Sequence, residues 1–348
     1  MMNEEQVEMA DVQAALGARE RLRQWADGGQ VAELLYAASA SGWLDMLQEP
    51  TTVEALAENS GVSTERARRV IEVFLAAAVV RSPEGSSPAY VLDPEFAALH
   101  RGPAGIRLDD TIDDIASARS RIRSAFSPDA PDHWEQDALI VARNWGMLPI
   151  AASRAIFSMA YDAVPEYRDR LAAGGTLLDV GSGVGGALLT TLTMFPQVRA
   201  VGVERADDVV RELRRRAEAA GVASRVEIRC ADARELSDEA ACEVAYWAQA
   251  FFPRDARAST LAAVRRALVP GGLLMVQELT PPAQDTPKAR LHSALAALVA
   301  ESRGVHPVHT AEELAAELRD GGFEDVRVAV SPVGRLVMGR RGNCRSMP

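Results

Sequence analysis

The sequence predicts an α/β fold, a largely parallel sheet covered by helices, preceded by a mostly helical domain. Three observations carry this. At 176–186 the run TLLDVGSGVGG passes from a buried apolar strand into a glycine-rich turn and then a helix starting near Val184. Apolar strand-like runs then alternate with helical periodicity almost to the C-terminus. Ahead of residue 170 the apolar spacing is mainly helical.

The glycine turn is read as a ligand site. Gly181, Gly183, Gly185 and Gly186 remove side chains that would hold a ligand off the backbone, and the first turn of the helix offers unpaired N–H groups. Gly181, Gly183 and Gly186 also satisfy the dinucleotide fingerprint, so the turn by itself admits two classes of ligand. The segments downstream narrow the choice. A strand over 198–203 ends at Glu204, about twenty residues past the glycines, where a carboxylate can accept hydrogen bonds from both ribose hydroxyls. A strand over 225–230 is followed by Asp232, and one over 243–249 by Ala250, Phe251, Phe252 and Pro253. A fourth, over 273–277, is introduced by Pro270, Gly271 and Gly272 and ends at Glu278.

This ordered set resembles the class I S-adenosylmethionine-dependent methyltransferases. Asp179, two positions before the first glycine, matches the acid of their first motif, Glu204 their ribose-binding acid and Asp232 their adenine-contacting acid. Residues 270–272 match the Pro-Gly-Gly turn before their fifth strand. The resemblance implies a Rossmann-like seven-stranded sheet with an antiparallel C-terminal strand pair and S-adenosylmethionine as cofactor. It assigns cofactor binding to Asp179, Gly181, Ser182, Gly183, Gly185, Glu204, Arg205, Asp232, Ala233 and Gln249. A nicotinamide-dependent oxidoreductase is the rival for the same glycines.

Composition bounds the remaining classes. With 348 residues, 48% hydrophobic and 25% charged, the chain has the make-up of a globular protein with room for two cores. A net charge of -11 and a pI near 5.1 argue against general affinity for nucleic acid phosphates or anionic membranes. Cys230, Cys242 and Cys344 lack ligand spacing and make a poor disulfide framework, so no metal is expected and a reducing, cytoplasmic setting is. The acidic start, MMNEEQVEMAD, has no apolar leader, and no run approaches the length of a membrane span.

Three regions are expected: 1–100, 101–170 and 171–342. Residues 1 to about 15 read as a mobile lead-in. From Gln30 to Leu47 apolar residues recur at helical spacing with a break at Gly42. A short helix over 53–58, a turn at 59–61 and a longer helix capped by Ser63 and Thr64 make a helix-turn-helix signature. Residues 79–81 and 90–92, joined by a Pro/Gly/Ser turn at 82–88, read as the hairpin of a winged helix. DNA binding through Arg66, Arg68 and Arg69 meets the objection that 51–93 holds four basic and six acidic residues. The methyltransferase resemblance instead implies a non-DNA-binding winged-helix domain that forms a homodimer. The connector has helical stretches around 107–126, 135–145 and 149–161, with Pro128, Pro131 and Pro149 between them. In the resembling family such helices wall the acceptor pocket, which nominates Trp134, Trp145, Phe157, Tyr161 and, after the fourth strand, Phe252.

In the catalytic half, the helix after Glu204 places Val209, Val210 and Leu213 on one face and Arg211, Arg214, Arg215 and Arg216 on the other, read as solvated. Asp255 is expected to cap a helix over 256–267, and Thr310 with Glu313 forms a capping box for one to Arg319. Strands over 326–330 and 335–338 then close the sheet. Methyl transfer from a sulfonium needs chiefly an acceptor held in line. A phenol of pKa ~10 is scarce as its anion at neutral pH, by roughly 4 kcal/mol, and there a general base matters. The resembling O-methyltransferases place a catalytic His at a position that falls at or beside Ala250, and no His is there. His292 is the nominated substitute base, with Gln249 beside it as a strand-end group facing the cleft, as is Glu278. His306 and His309 are spaced as a possible metal pair without a third ligand. The predicted activity is methylation of a small, aromatic or phenolic specialised metabolite, at oxygen ahead of carbon or nitrogen. A winged-helix regulator that senses S-adenosylmethionine is the reading from another class.

Overall fold

The computed structural model describes residues 4–83, 88–102, 105–127, 134–279, 286–305 and 310–343. Part of the turn at 82–88, Pro128, Pro131, His306, His309 and Cys344 lie outside them. The chain divides into two compact units, Met1–Gly102 with Arg107–Asp113, and Pro103–Ile106 with Asp114–Pro348.

The first unit opens with α1 (Glu4–Ala40) and α2 (Trp43–Met46). The expected lead-in is therefore helix. Its Glu, Gln, Ala and Arg residues carry high helix propensity although few of them find a core. Next come β1 (Thr51–Thr52), α3 (Val53–Ser60), α4 (Thr64–Ala76), β2 (Val80–Arg81), β3 (Ala89–Leu92) and α5 (Pro94–Arg101), and α6 (Leu108–Arg123) begins in this unit. Ser63 caps α4 by accepting the Arg66 amide, as its position predicts, and Thr52 does the same for α3. The strands form a sheet of order β1-β3-β2, so Thr51 and Thr52 pair with Tyr90 and Ala89, a third strand that the sequence reading lacks. Leu44, Leu47, Leu56, Ile71, Phe74 and Leu92 fill its core.

The second unit begins its helices with α7 (Trp134–Trp145), α8 (Ala151–Asp162) and α9 (Pro165–Ala172). The alternating part follows: β4 (Leu177–Val180), α10 (Gly186–Met194), β5 (Ala200–Glu204), α11 (Asp207–Ala219), β6 (Val226–Cys230), β7 (Cys242–Trp247), α12 (Arg254–Ala267) and β8 (Leu268–Gln277). It ends with α13 (Pro287–Ser302), α14 (Ala311–Asp320), β9 (Phe323–Ser331) and β10 (Gly334–Arg341). The seven strands lie in the order β6-β5-β4-β7-β8-β10-β9. Strands β4 to β8 pair in parallel, while β10 runs antiparallel to both β8 and β9, as the fold class requires. The chain leaves β4 to build β5 and β6 on one side, then returns to build β7 on the other. In an open α/β sheet that reversal leaves a crevice at the carboxyl ends of the strands.

Leu178 and Val180 face one core, with α12 and α14, and Leu177 the other, with α8, α9, α10 and α11. Strand alternation therefore puts the Asp179 side chain on the Leu177 side. Two boundaries differ from expectation. The Pro270-Gly271-Gly272 segment is an excursion inside β8, where the pairing jumps from Cys242–Leu268 to Val244–Leu273. Helix α12 starts at Arg254, so Asp255 lies in its first turn while Pro253 is the cap residue. Among the described residues no helix is long and apolar enough to cross a membrane.

Candidate functional site

The carboxyl ends of β4, β5, β6 and β7 carry the glycine turn, Glu204, Asp232 and residues 248–252 respectively. The turn is anchored to β5: the amides of Gly181 and Ser182 both donate to the Val203 carbonyl, at 2.9 and 3.0 Å. Gly181 has φ +75°, and a β-carbon there would stand 2.7 Å from Phe252 Cε2, so neither the backbone nor the space admits another residue. Phe252 in turn meets the buried Trp247 ring edge-on at 5.6 Å. The amides of the first turn of α10 have no intrahelical acceptor.

Asp179 is 2% exposed. Burial, against the easing effect of the Ser182 hydroxyl and aided by the charge of Glu204, pushes its carboxyl up to about 7. Its other electrostatic neighbours are the phenols of Tyr161, Tyr167 and Tyr246, groups that offer no positive charge. A carboxyl so placed is stabilised by an arriving cation.

Glu204 Oε2 accepts the Gly183 amide at 3.0 Å, and Oε1 accepts those of Arg205 at 2.7 Å and Ala206 at 3.0 Å. Asp232 caps the short turn after β6, accepting the Arg234 amide, and a bidentate Arg234 guanidinium at 2.7 and 3.0 Å holds its carboxyl below the usual range. Ala233 beside it is buried. The structure thus brings Asp179, the turn and Glu204 together.

The groups nominated for the acceptor side divide. Tyr161 is buried, with its hydroxyl 2.5 Å from Thr191 Oγ1 and its ring stacked on Tyr167 at 6.0 Å, which makes it a core residue and corrects the expectation of a pocket wall. Phe157 is half-buried against it at 6.0 Å. Trp145, 50% exposed, meets Phe251, 37% exposed, in an edge-on pair at 5.8 Å. Phe251 was not nominated from the sequence, because two adjacent phenylalanines after a strand give no sign of which one points outward. Trp134 begins α7, and its side chain lies outside the described residues.

Gln249 does not face the cleft with a free amide. It is 2% exposed, in the short turn after β7, and its Nε2 donates to the Gln277 carbonyl at 3.1 Å while Oε1 accepts Arg257 Nη2 at 2.9 Å. Arg257 also donates to the Gln249 carbonyl at 2.6 Å, pairs with Glu317 of α14 at 2.6 and 2.7 Å, and stacks over the Trp247 ring at 4.8 Å. Glu278 is likewise taken: it pairs with Arg335 and accepts the Ala311 amide at the start of α14 at 3.1 Å. His292 is exposed on α13.

The connector touches the turn directly. A β-carbon on Gly186 would lie 3.1 Å from both Gly146 Cα and Met147 N, and Ala138, Leu139 and Ala142 of α7 pack on Val184 and Val209. Arg216 holds this contact from α11, donating to the Gly146 carbonyl at 2.7 Å and to Glu212 at 2.8 Å. It is 6% exposed, not solvated as its place in a run of arginines suggested. Hydrogen bonds from Arg215 and Arg216 keep the Glu212 carboxyl down at about 2.

Residues 177–272 match the family model of a methyltransferase domain. No curated protein matches the chain by sequence. Among solved structures the chain is similar to human N-acetylserotonin methyltransferase in complex with SAM, at 16% identity over 94% of this chain and 98% of that one, with a TM-score of 0.66. It is also similar to the mitomycin 7-O-methyltransferase MmcR, at 21% identity over 95% and 100% of the two chains, with a TM-score of 0.69. A third is CalO1, a methyltransferase in calicheamicin biosynthesis in its SAH-bound form, at 24% identity over 97% and 99%, with a TM-score of 0.60. At these identities the likeness is one of fold.

Proposed function

We propose that the chain, whose residues 177–272 match the model of a methyltransferase domain, is a class I S-adenosylmethionine-dependent enzyme that methylates a small aromatic or phenolic metabolite, at oxygen ahead of carbon or nitrogen. The nicotinamide alternative falls with the domain match. The observation that carries the acceptor class is the Trp145–Phe251 pair. Two partly exposed aromatic faces flank the glycine turn, one preceding Gly146 on Gly186 and the other preceding Phe252 on Gly181. Such faces suit a flat ring. The named activities of MmcR and CalO1 support a place in specialised metabolism, and that of MmcR supports oxygen.

The residues fit the cofactor. Asp179, a buried carboxyl with no cationic partner among the described residues, suits the amino acid portion. The α10 amides and the glycine turn suit its carboxylate, Glu204 the ribose, and Asp232 with Ala233 the adenine. When bound, S-adenosylmethionine supplies an electrophilic methyl group. The chain's own part is placement: the Arg257–Gln249 network sets the turn bearing Phe251 and Phe252, and Arg216 sets the segment that follows Trp145. Gln249 acts through that network rather than on a proton. His292, exposed on α13, keeps the place of nominated base in this reading. A homodimer through the N-terminal unit is part of the same reading, supported by Met9, Val12, Leu16, Leu22 and Trp25, all exposed on α1.

Calorimetric titration with S-adenosylmethionine and with NADH, repeated on Glu204→Ala, tests the cofactor assignment. Binding of the sulfonium compound alone, lost in the variant, is expected. A labelled-methyl screen of phenols, electron-rich arenes and amines then tests the acceptor, and label appearing solely in amines would sink the aromatic assignment.

A further inference from the structure

Three successive amides of the glycine turn are tied to β5, and they use two different acceptors. Gly181 and Ser182 share the Val203 carbonyl, whereas Gly183 reaches the Glu204 side chain. That carboxylate also gathers the Arg205 and Ala206 amides, from the segment leading into α11. One side chain therefore joins two loops. A carboxylate has about four lone-pair directions, so three amides occupy most of them and fix the rotamer of what remains. Beyond Gly183 the chain passes to Val184, buried against α7, and into α10.

We propose that Glu204 is a positioning residue for the glycine turn, holding Gly183 to β5 before any ligand arrives, in addition to meeting a ribose. The ligand's identity rests on the methyltransferase reading; the tie does not. Holding the turn in place beforehand spares the ligand the cost of ordering it. A glutamine at this position keeps the size but has one oxygen for three donors, and its NH2 faces amides that are themselves donors.

The test is a chemical cycle. S-adenosylhomocysteine and its 2′,3′-dideoxy analogue are titrated into the wild type and Glu204→Gln. A residue that serves only the ribose binds the dideoxy analogue equally well in both proteins. The tie predicts that the variant binds it about tenfold more weakly, the worth of one hydrogen bond to a charged group. In the ligand-free proteins, amide hydrogen exchange at 181–186 is expected to be about tenfold faster in the variant. Equal analogue binding together with unchanged exchange overturns the proposal. Should neither compound bind the wild type, the methyltransferase reading fails while the exchange comparison still decides the tie. Glu204→Asp, which keeps the charge and loses reach to Gly183, gives the same exchange result if the glutamine variant does not fold.

Discussion

Asp179 sits where folding alone would not put a carboxylate. Its carboxyl is raised from 3.8 to about 7, and three units correspond to roughly 4 kcal/mol. Because the folded value lies above the unfolded one, the group's contribution is intact below pH ~4 and is lost as pH rises through 7. Asp179→Asn should therefore make the ligand-free protein more stable at pH 8, by up to about 4 kcal/mol, with the gap narrowing toward pH 4. The same change should weaken S-adenosylmethionine. Urea titrations at several pH values read the first effect and calorimetry the second; a gap that does not change with pH would refute the assignment. The places of Asp179 and Glu204 were legible because each sits in the last two residues of an apolar strand run. Arg216 and Arg257 were not. Their burial depends on the Gly146 carbonyl and on Glu317, which are 70 and 60 residues away in the chain, and an arginine whose partner is that remote reads as surface.

Among the elements, α10 shows how tightly the connector is fitted to the turn. The backbone of Gly146 and Met147 stands over Gly186, and backbone cannot rotate aside as a side chain can. Gly186→Ala is expected to destabilise the protein by about 1–2 kcal/mol and to loosen cofactor binding with it, as measured by urea unfolding and titration. An unchanged midpoint would mean that the connector yields freely. Helix–strand alternation was readable from apolar periodicity because both faces of β4, β7 and β8 are buried. Local chemistry also gave the Thr310 capping box, whose Thr310 Oγ1 accepts the Glu313 amide at 3.2 Å. Two elements escaped that reading. In α1 the helix is favoured by propensity without a buried stripe, and in β8 a Pro-Gly-Gly signal that ordinarily ends a strand is absorbed as an excursion within it.

For the whole molecule, the first unit leaves Leu22 and Trp25 of α1 uncovered. If a second copy covers them, sedimentation will show a dimer, and Trp25→Asp will shift it toward monomer without changing cofactor affinity. A monomer in the wild type at micromolar concentration removes the homodimer from the reading. The chain's three predicted regions came from changes in periodicity and punctuation, which see local order but not which helices share a core.

The residues proposed for the cofactor come from the contiguous stretch that ends strands β4 to β7, whereas Trp145, proposed for the acceptor, is contributed by a helix that precedes it. Inheritance can treat these parts differently. Substitutions that reshape the exposed side of α7 leave the acids and glycines of the sheet in place, so on the proposed reading the acceptor side can change while the methyl-donor side stays as it is. At Gly146 and Gly186, where backbone of the two parts presses together, such change meets a fixed boundary.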